Sequence, residues 1–323
     1  MDINQIHKKW SKVSQAKKIK NYKALRISSE CISELFIGID SDGYRCLLMF
    51  LNVNVLDLKI RGVDKDKLSL SYLPENRLII TKLKDVDFTD LFNDLILSIY
   101  SKIDLISDSK KAAKEFITTF YKWAHFFEDT HSDKLGEEQI QGLFGELFVL
   151  NRYLKKSNPS TINLILASWK GPYDAAKDFE FDMKDVEVKT KKESKLFVKI
   201  SSEFQLEKGP DKDLELLVAS VKIDLIKGKS IHDMLLEITK QVRGSLGDIS
   251  ILYKALNQKA LTVENLKQYN NYRFIVEKTE LFDAGKNNFP KLSISNVANG
   301  ISNLKYKLRI TQLDEFLIEL KKY

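Results

Sequence analysis

Glu187, Val188 and Lys189 form an acid–x–lysine tripeptide inside the run Val186-Glu187-Val188-Lys189-Thr190, and Asp178 stands nine residues before Glu187. The tripeptide pattern alone carries little, since it recurs at Asp57, Asp108, Asp182 and Glu193. What sets Glu187 apart is its valine-rich strand and a second acid on a predicted neighbouring strand. A tight hairpin folds back over such a distance so that the two side chains meet. Two carboxylates held together without a counter-ion repel, so they share a proton or bind a cation. Oxygen ligands in a chain with four histidines favour Mg²⁺ or Mn²⁺ over zinc. Lys189, one pleat along, can hold or deprotonate a water beside such a metal. The bland alternative is a solvated strand face with ordinary charges, and periodicity leaves both open.

The elements that must position these residues are legible around them. Period-2 alternation on either side of Asp182-Met183-Lys184-Asp185 predicts a β-hairpin. Phe179 and Phe181 share one face of the first strand, opposite Asp178, Glu180 and Asp182. On the second strand Val186, Val188 and Thr190 oppose Glu187 and Lys189. Leu196–Ile200 reads as a third strand, ending in Ser201-Ser202-Glu203-Phe204-Gln205, whose polar side chains can lie near a metal or a scissile strand. Leu214–Ile223 reads as a central strand buried on both faces, and Ile231–Val242 as an amphipathic helix closed by Gly244. Upstream, Ile140, Leu143, Phe144, Leu147, Leu150 and Leu154 form the core stripe of a helix. Gly142 and Gly145 inside it each cost about 1 kcal/mol relative to alanine, which implies close packing against a strand or the site. Glu146 sits at the edge of that stripe and can reach toward the sheet. Trp169 reads as a packing residue, and Asp174, in a loop, is the second choice for the first metal ligand. Lys191, Lys192, Lys195 and Lys199 follow the acids closely and can attract phosphates that the acids would repel.

These residues resemble the PD-(D/E)XK nuclease superfamily, and in particular a prokaryotic group known as a domain of unknown function. The matching pattern is Gly142-Leu143-Phe144-Gly145-Glu146-Leu147, then Trp169-x-Gly171-Pro172, Asp178-Phe179, Glu187-Val188-Lys189-Thr190 and Ser202-x-x-Gln205-Leu206. Phe289-Pro290 and Tyr306–Ile310 are similar to that group's ending. Lys177 stands where the superfamily's name places a proline, a variable position. The resemblance implies that Asp178 and Glu187 are metal ligands, Lys189 the catalytic lysine, and Glu146 a helix-borne acid that supports the metal or its water. It also implies a restriction-modification or phage-defence setting.

The rest of the chain bounds these expectations. With 323 residues, 43% of them hydrophobic, the chain can bury a large core in two structural regions. A net charge of +7 tolerates a polyanion without demanding one. Cys31 and Cys46 have no metal-ligand spacing, and there is neither a signal peptide nor an apolar run of membrane-spanning length. The cytoplasm is the expected compartment. Residues 3–26 read as a lysine-rich helical segment around Trp10, suited either to solvent or to a phosphate backbone. A β-meander is predicted next, from Leu35–Asp40, Tyr44–Leu51, Leu56–Arg61, Leu68–Leu73 and Arg77–Leu83, with turns at Ser41-Asp42-Gly43 and Pro74-Glu75-Asn76. Leu91, Leu95, Ile99 and Ile103 mark a helix, and Ala112–Phe127 a second. His125, Glu128 and His131 drift round the helix and make poor metal ligands. Asn270–Glu277 and Leu304–Ile310 read as strands, and Thr311–Lys321 as a last helix with Asp314 and Glu315 in its first turn. Tyr253, Tyr269, Tyr272 and Arg273 can stack on bases or pack a core. No phosphate-binding glycine loop is present, so the chain shows no nucleotide motor.

The expected fold is α/β (α+β): a restriction-endonuclease-like core of αβββαβ type at 136–245. An N-terminal β-rich region (1–88), a helical connector (89–135) and a C-terminal α+β extension (246–323) surround it. The expected function is a Mg²⁺-dependent DNA endonuclease, with Mn²⁺ able to substitute, acting on double-stranded DNA. A homodimer is expected from the need for two cuts, along with methyltransferase or ATPase partner subunits. The alternative is a DNA-binding or assembly subunit whose cleavage requires a partner.

Overall fold

A computed structural model of the chain describes residues 1–52, 62–128, 134–298 and 301–323. The chain divides into two compact units, residues 1–129 and 130–323. Among the described residues no helix is long and apolar enough to cross a membrane.

The first unit opens with α1 (Ile3–Val13), started by a reciprocal capping box between Asp2 and Gln5. Ile6, Trp10 and Val13 form its buried stripe, and the Trp10 indole donates to Asn93 Oδ1 at 2.8 Å. The helix ends at Val13. The rest of the predicted helical segment is a hairpin, β1 (Lys18–Ile19) and β2 (Tyr22–Arg26), turning at Lys20 with φ 54°. After β3 (Glu34–Ile39), β4 (Arg45–Phe50), β5 (Val63–Asp64), β6 (Leu68–Leu73) and β7 (Leu78–Leu83) the sheet order is β1-β2-β3-β4-β7-β6-β5. It departs from the simple meander expected, because β7 rather than β6 pairs with β4. The predicted strand Leu56–Arg61 lies outside the described residues. Helices α2 (Thr89–Ile103) and α3 (Ser109–Ala124) follow, with Leu95, Ile99 and Ile103 buried. Glu128 pairs with Lys65 rather than with His125, and His131 is outside the described residues.

The second unit carries α4 (Glu137–Lys155), α5 (Ile162–Ser168), β8 (Phe179–Glu180), β9 (Lys184–Lys192), β10 (Phe197–Ile200) and β11 (Asp213–Ile223). Then come α6 (Ile231–Gly244), α7 (Ile249–Gln258), α8 (Val263–Leu266), β12 (Phe274–Asp283), β13 (Tyr306–Arg309) and β14 (Leu317–Lys322). The central sheet runs β14-β12-β11-β9-β8, with β9 and β11 parallel and the other neighbours antiparallel. This mixed architecture agrees with the α/β fold class expected. Val186 and Val188 lie buried on one face of β9, and α4 packs so closely there that a Cβ on Gly145 would stand 1.8 Å from Thr190 Oγ1.

Two local expectations are corrected. β10 is a strand, but it pairs with β13 in a separate two-stranded sheet. Its burial alternates, with Val198 and Ile200 inside and Phe197 and Lys199 outside, whereas a strand inside the central sheet would bury both faces. Val198, Ile200, Leu308 and Ile310 cover Leu216, Val218 and Phe282 on the face of the central sheet away from α4. The predicted last helix is instead two short 3₁₀ turns, Ile310–Gln312 and Asp314–Phe316, followed by β14. The free edge of β12 supplies backbone partners to Leu317–Lys322, and that pairing outweighs the segment's helical propensity. Tyr253 and Tyr269 are core residues, and Arg273 pairs with Asp233.

The two glycines of α4 should separate cleanly. Gly145→Ala forces a methyl into Thr190 and should lose about 1–3 kcal/mol. Gly142→Ala meets nothing within 4 Å and should gain up to about 1 kcal/mol of helix propensity. Urea midpoints of the two variants test this, and equal midpoints would sink the packing argument.

Candidate active site

The site forms where β9 runs past its short partner. β8 pairs only Phe179 with Val186 and Glu180 with Asp185, which leaves the next amides of β9 without a β8 partner. Asp178, just before β8, fills that gap: its Oδ2 accepts from the Val188 amide at 2.8 Å. Its backbone carbonyl is held in turn by the Lys170 and Gly171 amides, at 2.7 and 3.1 Å. The Gly171-Pro172 turn thus pins Asp178 from both sides. A Cβ at Gly171 would crowd Glu146 Oε2 and stand 3.2 Å from Asp178 Oδ1, so a side chain there would displace the Glu146 carboxylate. These approaches also show that the carboxylates of α4 and of the hairpin converge on one point.

The Trp169 indole donates to Glu146 Oε2 at 2.8 Å. Glu187 is 1% exposed, and its Oε1 lies 2.7 Å from Lys189 Nζ. Its Oε2 is buried with no hydrogen-bond partner among the described residues. Lys189 Nζ also donates to Gln205 Oε1 at 3.0 Å, and the same oxygen accepts from the Ser201 amide at 2.8 Å. A second buried lysine, Lys177, donates to the Phe204 carbonyl, and its charge acts on Glu187.

Electrostatics follow from burying three acids together. Burial pushes the Glu187 carboxyl up to about 8, with repulsion from Asp178 adding to it. Burial and then Asp178 raise Glu146 well above the usual carboxylate range, against the Trp169 hydrogen bond. Asp178 is raised by burial, an effect that Lys189, the Val188 amide and Lys177 oppose. Burial alone would lower Lys189, but Glu187 and Asp178 outweigh it and hold the ammonium above its ordinary value. Lys177, by contrast, is lowered by burial.

The donor set fits a small, hard cation, since the unpartnered Glu187 Oε2 and Asp178 offer oxygen only. Among the described residues no three acidic, histidine or cysteine side chains stand together as a complete cage. The fit is therefore to a cation held by two carboxylates, with water completing its shell. A cavity of about 290 Å³ borders Glu146, lined in part by Gly142, Leu143, Pro172, Leu256 and Lys259.

Glu146, Asp178, Glu187, Lys189 and Gln205 are thus brought together. Asp174 is not: it is exposed at φ 54° and pairs with Lys259. The Glu203 carboxylate accepts from the Asn303 and Leu304 amides, at 3.3 and 3.1 Å. Ser202 offers its carbonyl to Gln205, at 3.4 Å. Lys191 is buried with Nζ on the Glu193 carbonyl, and Lys192 pairs with Glu137, whereas Lys195 is exposed. Trp169 reads as packing from sequence and Lys177 as a variable position, so the contacts of both with the site are not foreseen there. The only signal for Trp169 was its place before Gly171-Pro172, and Lys177 had none.

A family model described as a putative PD-(D/E)XK family member (DUF4420) matches residues 6–311. No curated protein and no solved structure matches the chain.

Glu187 binds its proton more tightly in the folded chain than in the unfolded one. Without metal, folding stability should therefore fall as pH rises from the ordinary 4.5 toward about 8, by up to roughly 1.4 kcal/mol per pH unit. Glu146 and Asp178 act in the same sense. Denaturant titrations in EDTA at about pH 5 and about pH 8 should show Glu187→Gln flattening this loss. An unchanged slope in the variant would refute the burial argument.

Proposed function

The chain belongs to the putative PD-(D/E)XK family, and on that footing we propose that it is a metal-dependent endonuclease hydrolysing phosphodiester bonds of double-stranded DNA. One observation carries the reading: Lys189 is fixed between Glu187 and Gln205 while Asp178 and Glu146 converge beside them. Asp178 and Glu187 would hold Mg²⁺ or Mn²⁺. The bound metal would stabilise charge developing on the phosphate and acidify a water.

The chain's own residues do the remaining work. Lys189 has three N–H donors. One goes to Gln205 and another faces Glu187, which leaves one for a water or a phosphate oxygen. Its raised pKa keeps the ammonium charged at neutral pH, so in the resting protein it orients and donates rather than abstracts a proton. Glu146, steadied by the Trp169 indole, would orient water on the far side of Asp178. The restriction or phage-defence setting and any methyltransferase or ATPase subunits rest on the sequence resemblance, and the homodimer on the need for two cuts.

Purified protein with Mg²⁺ or Mn²⁺ should cut plasmid DNA. Lys189→Ala and Asp178→Asn should each lose at least roughly 100-fold in rate with unchanged circular dichroism. Mn²⁺ binding by calorimetry should vanish in Glu187→Ala. Folded wild-type protein that neither binds Mn²⁺ nor cuts would overturn the self-sufficient reading in favour of a partner-dependent subunit.

Trp169→Phe keeps most of the packing and removes the donor to Glu146. It should cost roughly 10-fold in cleavage while leaving the melting temperature within a few degrees. Wild-type activity in this variant would mean that the indole hydrogen bond does not orient Glu146.

A further inference from the structure

The two-stranded sheet of β10 and β13 has an inner face buried in the core and an outer face that is cationic. Phe197 sits opposite Arg309, and Lys199 opposite Lys307. All four are exposed, while Val198, Ile200 and Leu308 point inward. The Arg309 guanidinium lies 4.7 Å from the centroid of the Phe197 ring, which props it above the sheet. No ion pair with an acid ties down Lys199, Lys307 or Arg309 among the described residues. Elsewhere in this unit some surface lysines are paired, as Lys192 is with Glu137, Lys222 with Glu277 and Lys259 with Asp174, while others, such as Lys195 and Lys254, have no ion pair among the described residues. Three cations without a counter-ion on one rigid face call for an anionic partner.

Placement names that partner. β10 leads directly into the turn whose Gln205 holds Lys189. Tyr306 of β13 lies close enough to Glu187 to feel its charge. Alternate residues of a strand are roughly 7 Å apart, about twice the axial rise per phosphate of one duplex strand. A sheet face with this spacing, on a sheet whose β10 leads into the Gln205 turn, suits an extended polyanion better than a small anion. Lys191 and Lys192, which follow Lys189 on β9, are already engaged within the protein.

We infer that the outer face of the β10–β13 sheet, through Lys199, Lys307 and Arg309, is a track for the DNA phosphate backbone leading to Glu187 and Lys189. This rests on the nuclease reading above. It adds a binding surface that is separate from the reacting groups and contributed partly by the C-terminal segment.

The test is fluorescence anisotropy of a labelled duplex with the full chain in EDTA, as a function of salt. Lys199→Ala/Lys307→Ala/Arg309→Ala should bind roughly 10-fold or more weakly near 0.1 M salt. The slope of log K against log salt should shrink by about 2.7, three phosphate contacts' worth. Lys8→Ala/Lys12→Ala/Lys17→Ala removes the same net charge from the first unit and should bind as wild type. The swap Lys199→Arg/Lys307→Arg/Arg309→Lys keeps the charges and should retain affinity. Wild-type binding by the sheet triple, or equal loss in both alanine triples, would overturn the inference while leaving the nuclease reading intact. A wild-type protein with no affinity for DNA would overturn both.

Discussion

Three carboxylates gathered in a buried pocket repel one another, and most of the second unit's local structure serves to hold them there. Glu187 cannot avoid the cluster, because its neighbours Val186 and Val188 must face α4, and period-2 alternation then sends Glu187 to the other side. Asp178 is fixed by the Val188 amide, Glu146 by the Trp169 indole, and Glu187 by the Lys189 ammonium. Two of these partners come from β9 and the third from Trp169, while Gln205 steadies Lys189, so the pocket exists only when helix, hairpin and the Gln205 turn are all in place. The absence of a side chain at Gly171 gives Glu146 and Asp178 room to approach.

Topology explains why the same region also carries the cationic sheet. β9 and β11 are parallel neighbours, and a parallel pair cannot be joined by a tight turn. The connection between them must leave the sheet and return, and β10 with the Ser201–Leu206 turn is that excursion. Having left the sheet, β10 needs a partner for its backbone, and β13 supplies it from a hundred residues further on. The apolar half of this pair closes the core over Leu216 and Val218, while the half that remains faces solvent. One crossover thus delivers both Gln205 to Lys189 and a basic outer surface.

What could be read from sequence was what local periodicity encodes. Alternation marked β9 and the acid face, the four-residue repeat marked α2 and α4, and Gly145 announced a close approach that Thr190 proved to make. Glu146, Glu187 and Lys189 are legible because they sit on regular elements whose faces follow from pattern, and Asp178, just before β8, because it stands nine residues ahead of Glu187. What failed depended on distant partners. The segments 197–200 and 317–322 have strand or helix propensity that says nothing of which edge will receive them, so β10 was assigned to the wrong sheet and β14 to a helix. Lys191 and Lys192 were read as phosphate ligands because charge is visible in sequence, whereas burial and a cross-element acid are not. Trp169 reads as packing in any composition-based view, since its indole nitrogen matters only once Glu146 is known to lie beside it.

The Glu187–Lys189 pair separates a site built for chemistry from one kept for stability. Replacing a buried ion pair with apolar side chains is commonly neutral or stabilising, so stability alone gives little reason to retain one. Here the pair sits within a cluster that still has an excess of acid and an unsatisfied oxygen on Glu187. That surplus is unfavourable by itself and becomes favourable only when further positive charge arrives. A divalent cation would supply it, and would also weaken the hold of Glu187 on Lys189, since one carboxylate would then serve two cations. The ammonium, still tethered by Gln205, would be the group left with charge to offer an incoming phosphate. In this arrangement the pocket's electrostatic strain would favour the binding of metal and substrate together.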